Sequence, residues 1–92
     1  MKRTILWSST VRRKLIQFRS EHFSPEETFD FISQIVLETE ALVSDHVFSK
    51  AYTEEDGPYR GMSRVVIRRF RIYFEQFDND VLIVAVLFPG EK

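Results

Sequence analysis

Apolar and polar residues along this chain keep three different rhythms. The first is a short run, Thr4-Ile5-Leu6-Trp7, which with Lys2 and Arg3 predicts an opening strand over Lys2–Trp7. Ser8, Ser9 and Thr10 follow, residue types that close the exposed N–H groups of a starting helix. Val11, Leu15, Phe18 and His22 then recur at i, i+4, i+7 and i+11, one stripe of a helix running from Val11 to Arg19. Arg12, Arg13 and Arg19 fall off that stripe.

The second rhythm begins at Ser24-Pro25-Glu26-Glu27. Ser24 is the N-cap, Pro25 the favoured first helical residue, and Glu27 completes a capping box. Glu26, Glu27 and Asp30 complement the positive end of the helix dipole. The helix is expected from Pro25 to Leu42 or Val43. Its buried stripe is Thr28, Ile32, Ile35, Val36, Thr39 and Leu42, and Phe29 and Phe31 are expected to widen it. The short link from Phe18 to Ser24 predicts an antiparallel hairpin of the two helices.

Ser44–Gly61 holds no period, and Thr53-Glu54-Glu55-Asp56-Gly57-Pro58 is turn material, so this stretch reads as the long loop. The third rhythm fills Arg64–Phe77, where Ile72 and Phe74 alternate with Arg71, Tyr73 and Glu75 as on a half-buried strand. Arg68-Arg69 is the place for a break, although no Gly, Asn or Asp marks one. Asp78-Asn79-Asp80 is a turn, and the apolar run Val81–Phe88 suits a central strand buried on both faces, ended by Pro89-Gly90. The order strand, helix, helix, loop, strands defines an α+β class: an N-terminal strand and an antiparallel α-hairpin packed on a small, mainly antiparallel β-sheet, as one domain over residues 1–92.

Composition narrows the chemistry. The chain is 43% hydrophobic with nine Phe, enough for a core. It has no Cys, which excludes a disulfide framework, a Cys-based zinc site and a thiol nucleophile, and its two His, His22 and His46, do not make a His-rich metal site. The glycines are scattered, so no phosphate-cradling loop or nucleophile elbow exists, and neither a cofactor nor a metal is expected. Met1-Lys2-Arg3 has no apolar stretch behind it, and the longest apolar run, Val81–Pro89, is about half of the roughly 20 residues a spanning helix needs. A soluble cytoplasmic protein without a membrane partner is expected.

The net charge of -1 conceals segregation: residues 1–23 carry +5, 24–59 carry -8, 60–74 carry +5 and 75–92 carry -3. Only a local basic patch is on offer to an anionic partner. Arg60, Arg64, Arg68, Arg69 and Arg71 form that patch, with Tyr59, Phe70 and Tyr73 among them. A guanidinium fork grips phosphate or carboxylate in two-pronged fashion and stacks on rings. Nucleic-acid contact, contact with an acidic protein, and plain surface pairing with the chain's own acids in helix two or the loop all remain open. Asp45-His46 reads as an ordinary loop pair with no nucleophile beside it. Glu54-Glu55-Asp56 lacks the alternation of a calcium loop and reads as solvated.

Over Gly61-Met62-Ser63-Arg64-Val65-Val66-Ile67-Arg68-Arg69-Phe70-Arg71-Ile72-Tyr73-Phe74 the chain resembles the RelE/ParE toxin superfamily. The family pattern is a Gly, a basic strand, an aromatic-Arg-aliphatic-x-aromatic core, an acidic turn and a hydrophobic last strand. Here these are Gly61, Phe70–Phe74, Asp78-Asn79-Asp80 and Val81–Leu87. The opening strand, the α-hairpin and the Ser24-Pro25-Glu26 helix start resemble ParE-like members, so the resemblance spans nearly the whole chain.

The resemblance implies the toxin of a bacterial type II toxin–antitoxin pair, neutralised by a cognate antitoxin. It aligns Arg71 with the family's strand arginine and Arg64 with a basic position on the preceding strand. These two would serve catalysis in a RelE-like ribosome-dependent mRNA interferase. Glu91 stands where such nucleases have Arg, and no Tyr or His follows it to place the acid and base of a ribose-hydroxyl attack. The ParE-like alternative, a binding inhibitor of DNA gyrase and not an enzyme, is therefore the favoured expectation. A nuclease acting on the ribosome and mRNA, or a degenerate member that binds only its antitoxin, stand beside it. The expected binding residues are Arg60, Arg64, Arg68, Arg69, Arg71 and Tyr73.

Overall fold

The computed structural model describes residues 4–44 and 52–91. Strand β1 (Thr4–Trp7) leads into helix α1 (Ser9–Gln17) and helix α2 (Pro25–Ser44). Four strands follow: β2 (Tyr52–Thr53), β3 (Ser63–Ile67), β4 (Phe70–Phe77) and β5 (Asp80–Leu87). They join in one five-stranded sheet of order β1-β5-β4-β3-β2, antiparallel throughout except for the parallel pair β1–β5. This is the expected α+β arrangement, a helical hairpin on a mainly antiparallel sheet.

Local chemistry explains the boundaries. Ser8 caps α1 by accepting from the Val11 N–H at 3.1 Å. The helix ends at Gln17, two residues short of the expected Arg19, because Phe18 is already extended. His22 therefore lies beyond the helix and is exposed, not the end of its apolar stripe. At α2 the capping box is complete: the Glu27 N–H donates to Ser24 Oγ at 3.2 Å, and the Ser24 N–H donates to Glu27 Oε1 at 3.0 Å. The two Ser24 contacts hold the Glu27 carboxyl below its ordinary range.

The core lies between helices and sheet. Val11 and Leu15 of α1, Ile35 and Val43 of α2, and Val65, Ile67, Phe70, Ile72, Phe74, Val81, Ile83 and Val86 of the strands are buried. Phe70 is its aromatic centre, with ring centroids 5.2 Å from Phe18, 5.8 Å from Phe31 and 5.6 Å from Phe88. These contacts join both helices to the last strand's exit. Phe29 corrects an expectation: it is 73% exposed and widens no buried stripe. Among the described residues, no helix is long and apolar enough to cross a membrane.

Three further departures concern the sheet. The stretch expected as pure loop contains β2, two residues paired with Arg64 and Ser63 of β3. Arg68 and Arg69 do break Arg64–Phe77 into two strands, and both take left-handed φ, 50° and 72°. That is the backbone of a primed hairpin turn, normally supplied by Asn or Gly, so the break carried no residue signature. Finally, β5 is not buried evenly on both faces: Leu82, Val84 and Ala85 are half-buried, because helices cover only one face of the sheet. Tyr73 pairs with Ala85 while Phe74 pairs with Ile83, so Val84 is an extra residue that bends β5 as a β-bulge.

Candidate partner-binding face

Strand alternation sorts the arginine segment. On β3, Val65 and Ile67 point to the helices, so Arg64 and Val66 take the other face. On β4, Phe70 and Ile72 point inward, so Arg71 and Tyr73 take the other face. Register then places Arg64 opposite Tyr73, and Arg71 between Val66 and Leu87. Arg64, Arg71 and Tyr73 thus share the helix-free face, brought together by pairing alone.

The loop between β2 and β3 folds over this face. The Glu54 N–H donates to the Met62 carbonyl at 2.9 Å and the Gly61 N–H returns to the Glu54 carbonyl at 2.8 Å. Gly61 at φ 88° takes the left-handed backbone that this tight closure uses. The closed loop delivers Tyr59 and Glu54. The Tyr59 ring stacks on Tyr73 at a centroid distance of 4.5 Å and an angle of 22°. Glu54 Oε2 accepts from Tyr73 Oη at 2.9 Å and from Arg64 Nη1 at 3.3 Å. Glu54 was expected as solvated loop; its side chain is 17% exposed and is a member of the site. The signal that could have found it is the charge itself, an acid two residues before Asp56-Gly57 that faces a basic strand across a short hairpin. Burial, then the Glu54 hydrogen bond, push the Tyr73 phenol above its ordinary value.

A cleft of about 290 Å³ opens among Glu54, Tyr59, Arg64, Arg71, Tyr73 and Leu87. One of its lining residues, Arg71, is held by the segment after β5. Arg71 Nη2 donates to the Glu91 main-chain carbonyl. The Glu91 carboxylate reaches Lys14 Nζ of α1 at 2.7 Å and accepts from the Phe88 N–H at 2.8 Å. Lys14, then the Phe88 amide, hold the Glu91 carboxyl below its ordinary range. One carboxylate thereby ties the helix layer to the tail that lies on Arg71.

The remaining arginines go elsewhere. Arg68 sits on the β3–β4 turn and grips Glu38 of α2 through Nε at 3.0 Å and Nη2 at 3.1 Å. The hydrogen bond to Glu38 raises its guanidinium pKa further. Arg69 on the same turn and Arg60 in the loop are exposed. The six candidates therefore divide into three on one face, one tied to α2 and two on the rim. Asp45-His46 lies outside the described residues. Among the described residues, no group of His, Asp and Glu is arranged to hold a metal ion.

No family model matches the chain. No curated protein matches it either. A solved structure does: a chain of the toxin–antitoxin complex RelBE2 from Mycobacterium tuberculosis superposes with a TM-score of 0.69 over 94% of this chain and 96% of that one, at 15% identity. At that identity the likeness is one of fold. The helical hairpin on a mixed sheet is therefore a RelE-like fold, in agreement with the superfamily resemblance of the sequence.

Proposed function

We propose that this chain is the toxin of a type II toxin–antitoxin pair and that it acts by binding, in the ParE-like manner, with DNA gyrase as target. The toxin role is supported by the RelE-like fold and by the neighbour's being a toxin–antitoxin complex. The binding mode is supported by one observation above all: the Arg64–Tyr73 pair already holds a carboxylate, that of Glu54. A surface that satisfies a carboxylate with a guanidinium and a phenol suits an acidic protein segment. Glu91, at the position where the resemblance sets an arginine in RelE-like nucleases, has its carboxylate paired with Lys14. Purified protein is expected to inhibit gyrase supercoiling, and the inhibition is expected to fall in Arg71→Ala. Full supercoiling at micromolar excess of the protein sinks this reading.

A second reading rests on the cleft. Arg64, Arg71 and stacked tyrosines around about 290 Å³ also suit a phosphate and a base. It requires cleavage of ribosome-bound mRNA by the wild type that is lost in Arg71→Ala. Intact transcripts exclude it. A cognate antitoxin as partner belongs to both readings.

A further inference from the structure

Glu54 sits on the donors that an acidic partner would need. Its Oε2 takes both the Tyr73 hydroxyl at 2.9 Å and Arg64 Nη1 at 3.3 Å. Two guanidinium grips on a carboxylate in this fold differ in kind. Arg68 meets both oxygens of Glu38, through Nε at 3.0 Å and Nη2 at 3.1 Å, the two-pronged fork that holds most firmly. Arg64 meets Glu54 through Nη1 on one oxygen, at a separation longer than the usual range. Glu54 is held by the looser of the two grips, and at the centre of the candidate site.

The charges lining the cleft already cancel: Arg64 and Arg71 against Glu54 and Asp56. Arg71 donates to the Glu91 main-chain carbonyl, a neutral acceptor that leaves its charge in place. The Glu91 carboxylate lies near enough to feel Arg71, but its direct partner is Lys14. A further carboxylate entering this balanced cleft gains a net attraction only if one of the two acids leaves. Asp56 is exposed on the loop, where water screens it. The Glu54 side chain is 17% exposed and covers the donors themselves. Glu54 is the acid that must go.

Its departure is a local event. The Glu54 backbone is pinned on both sides, its N–H to the Met62 carbonyl at 2.9 Å and its carbonyl to the Gly61 N–H at 2.8 Å. Tyr59 holds the loop to the strand by stacking on Tyr73. The carboxylate can therefore turn out to water by rotation about side-chain bonds while the loop stays closed.

We propose that Glu54 is a built-in placeholder on the arginine face, and that an aspartate or glutamate side chain of a partner protein displaces it from Arg64 and Tyr73. This rests on the acidic-partner reading above and adds a competition to it: the chain's own carboxylate opposes every incoming one. A lone anion cannot outdo a group already tethered in place. A partner segment can, because its contacts elsewhere on the face add to those of its acid.

Titration calorimetry of the full chain with a hexaglutamate peptide tests it, with a single-stranded oligouridylate as second probe. Glu54→Gln is expected to bind the peptide about tenfold tighter than the wild type, one charge-assisted bond expressed as affinity. Asp56→Asn removes the same charge from the rim and is expected to change affinity by less than about twofold. Adding Tyr73→Phe to Glu54→Gln is expected to take back part of the gain. In the wild type, the carbon NMR signal of the Glu54 carboxyl is expected to move to that of a solvated carboxylate as the peptide saturates, a reading that requires no variant to fold. Equal affinities of wild type and Glu54→Gln, equal gains from Glu54→Gln and Asp56→Asn, or a Glu54 signal that stays put at saturation overturn the placeholder and leave the acidic-partner reading standing. A gain with oligouridylate alone overturns it in favour of a phosphate ligand. Peptide binding by neither form also overturns it, and the gyrase assay then decides the binding reading separately.

Discussion

Tyr73 donates its hydroxyl to Glu54 at 2.9 Å, a contact that ties the β2–β3 loop to the arginine face beside the Tyr59–Tyr73 stack. The same carboxylate oxygen takes Arg64, so one acid fixes both groups. Replacing Glu54 with Gln keeps the shape and removes the charge. Charge-assisted hydrogen bonds contribute about 1.5–3 kcal/mol in buried settings, and partial exposure lowers that here, so a loss of about 1–2 kcal/mol is expected in urea unfolding. The Tyr73 phenol, raised above 10.0 by burial and by Glu54, is expected to titrate at lower pH in the variant. Absorbance of the phenolate reads this directly.

Acid should weaken the fold through Glu27 and Glu91. Both carboxyls sit below their ordinary 4.5 in the folded chain, Glu27 through the Ser24 contacts and Glu91 through Lys14 and the Phe88 amide. A depressed folded value means that the unfolded chain takes up the proton first. The stabilisation is thus present above about pH 4.5 and lost as pH falls through the folded values. Chemical denaturation from pH 6 down to pH 3 is expected to show falling stability, and Glu91→Gln to flatten part of that slope.

The β3–β4 turn carries a conformational cost that substitution can relieve. Arg69 at φ 72° holds a left-handed backbone with a full side chain. Left-handed φ costs an L-residue roughly 1–2 kcal/mol, partly offset in glycine by the greater freedom of its unfolded chain. Arg69→Gly is therefore expected to raise stability by about 0.5–1 kcal/mol. The Arg68 grip on Glu38 should persist, and thermal unfolding at fixed pH measures the change.

Phe70 is the side chain whose loss the fold should tolerate least. It is fully buried and meets rings from the C-cap of α1, from α2 and from the segment after β5. Truncating such a ring costs about 3–5 kcal/mol. For a domain of this size that approaches the whole margin, so Phe70→Ala is expected to unfold near room temperature in calorimetry. Ser24→Ala, by contrast, should cost only about 1 kcal/mol, because it removes a cap and leaves the core alone.

What could be read from the residues, and what could not, follows from where the determining interactions lie. The capping box at Ser24, the apolar stripe of α2 and the run Val81–Phe88 are local, so their elements were legible. The break at Arg68-Arg69 was legible only as a place, because the strands around it impose a backbone that the turn residues themselves do not favour. Phe29 misled because spacing cannot tell a core-facing position from one that faces outward beside a second helix. The site was half visible. Arg71 and Tyr73 came from strand alternation and Arg64 from the arginine cluster and the superfamily resemblance, whereas Glu54 and Tyr59 reach them only through the closure of a loop whose register the sequence does not announce.

The sheet order also fixes when this protein can exist. β1 comes before the helices in the chain, but its strand partner among the described residues is β5, and β5 in turn is the neighbour of β4. Until the last apolar strand has left the ribosome, the opening strand has no partner and the helices have no finished surface to cover. Folding therefore waits for β5, since the β1–β5 pairing joins the first described strand to the last. Before β5 is in place, Arg71 lacks both its strand neighbour Leu87 and the Glu91 carbonyl that accepts from it. The arginine face and the core beneath it therefore depend on the same late strand, β5.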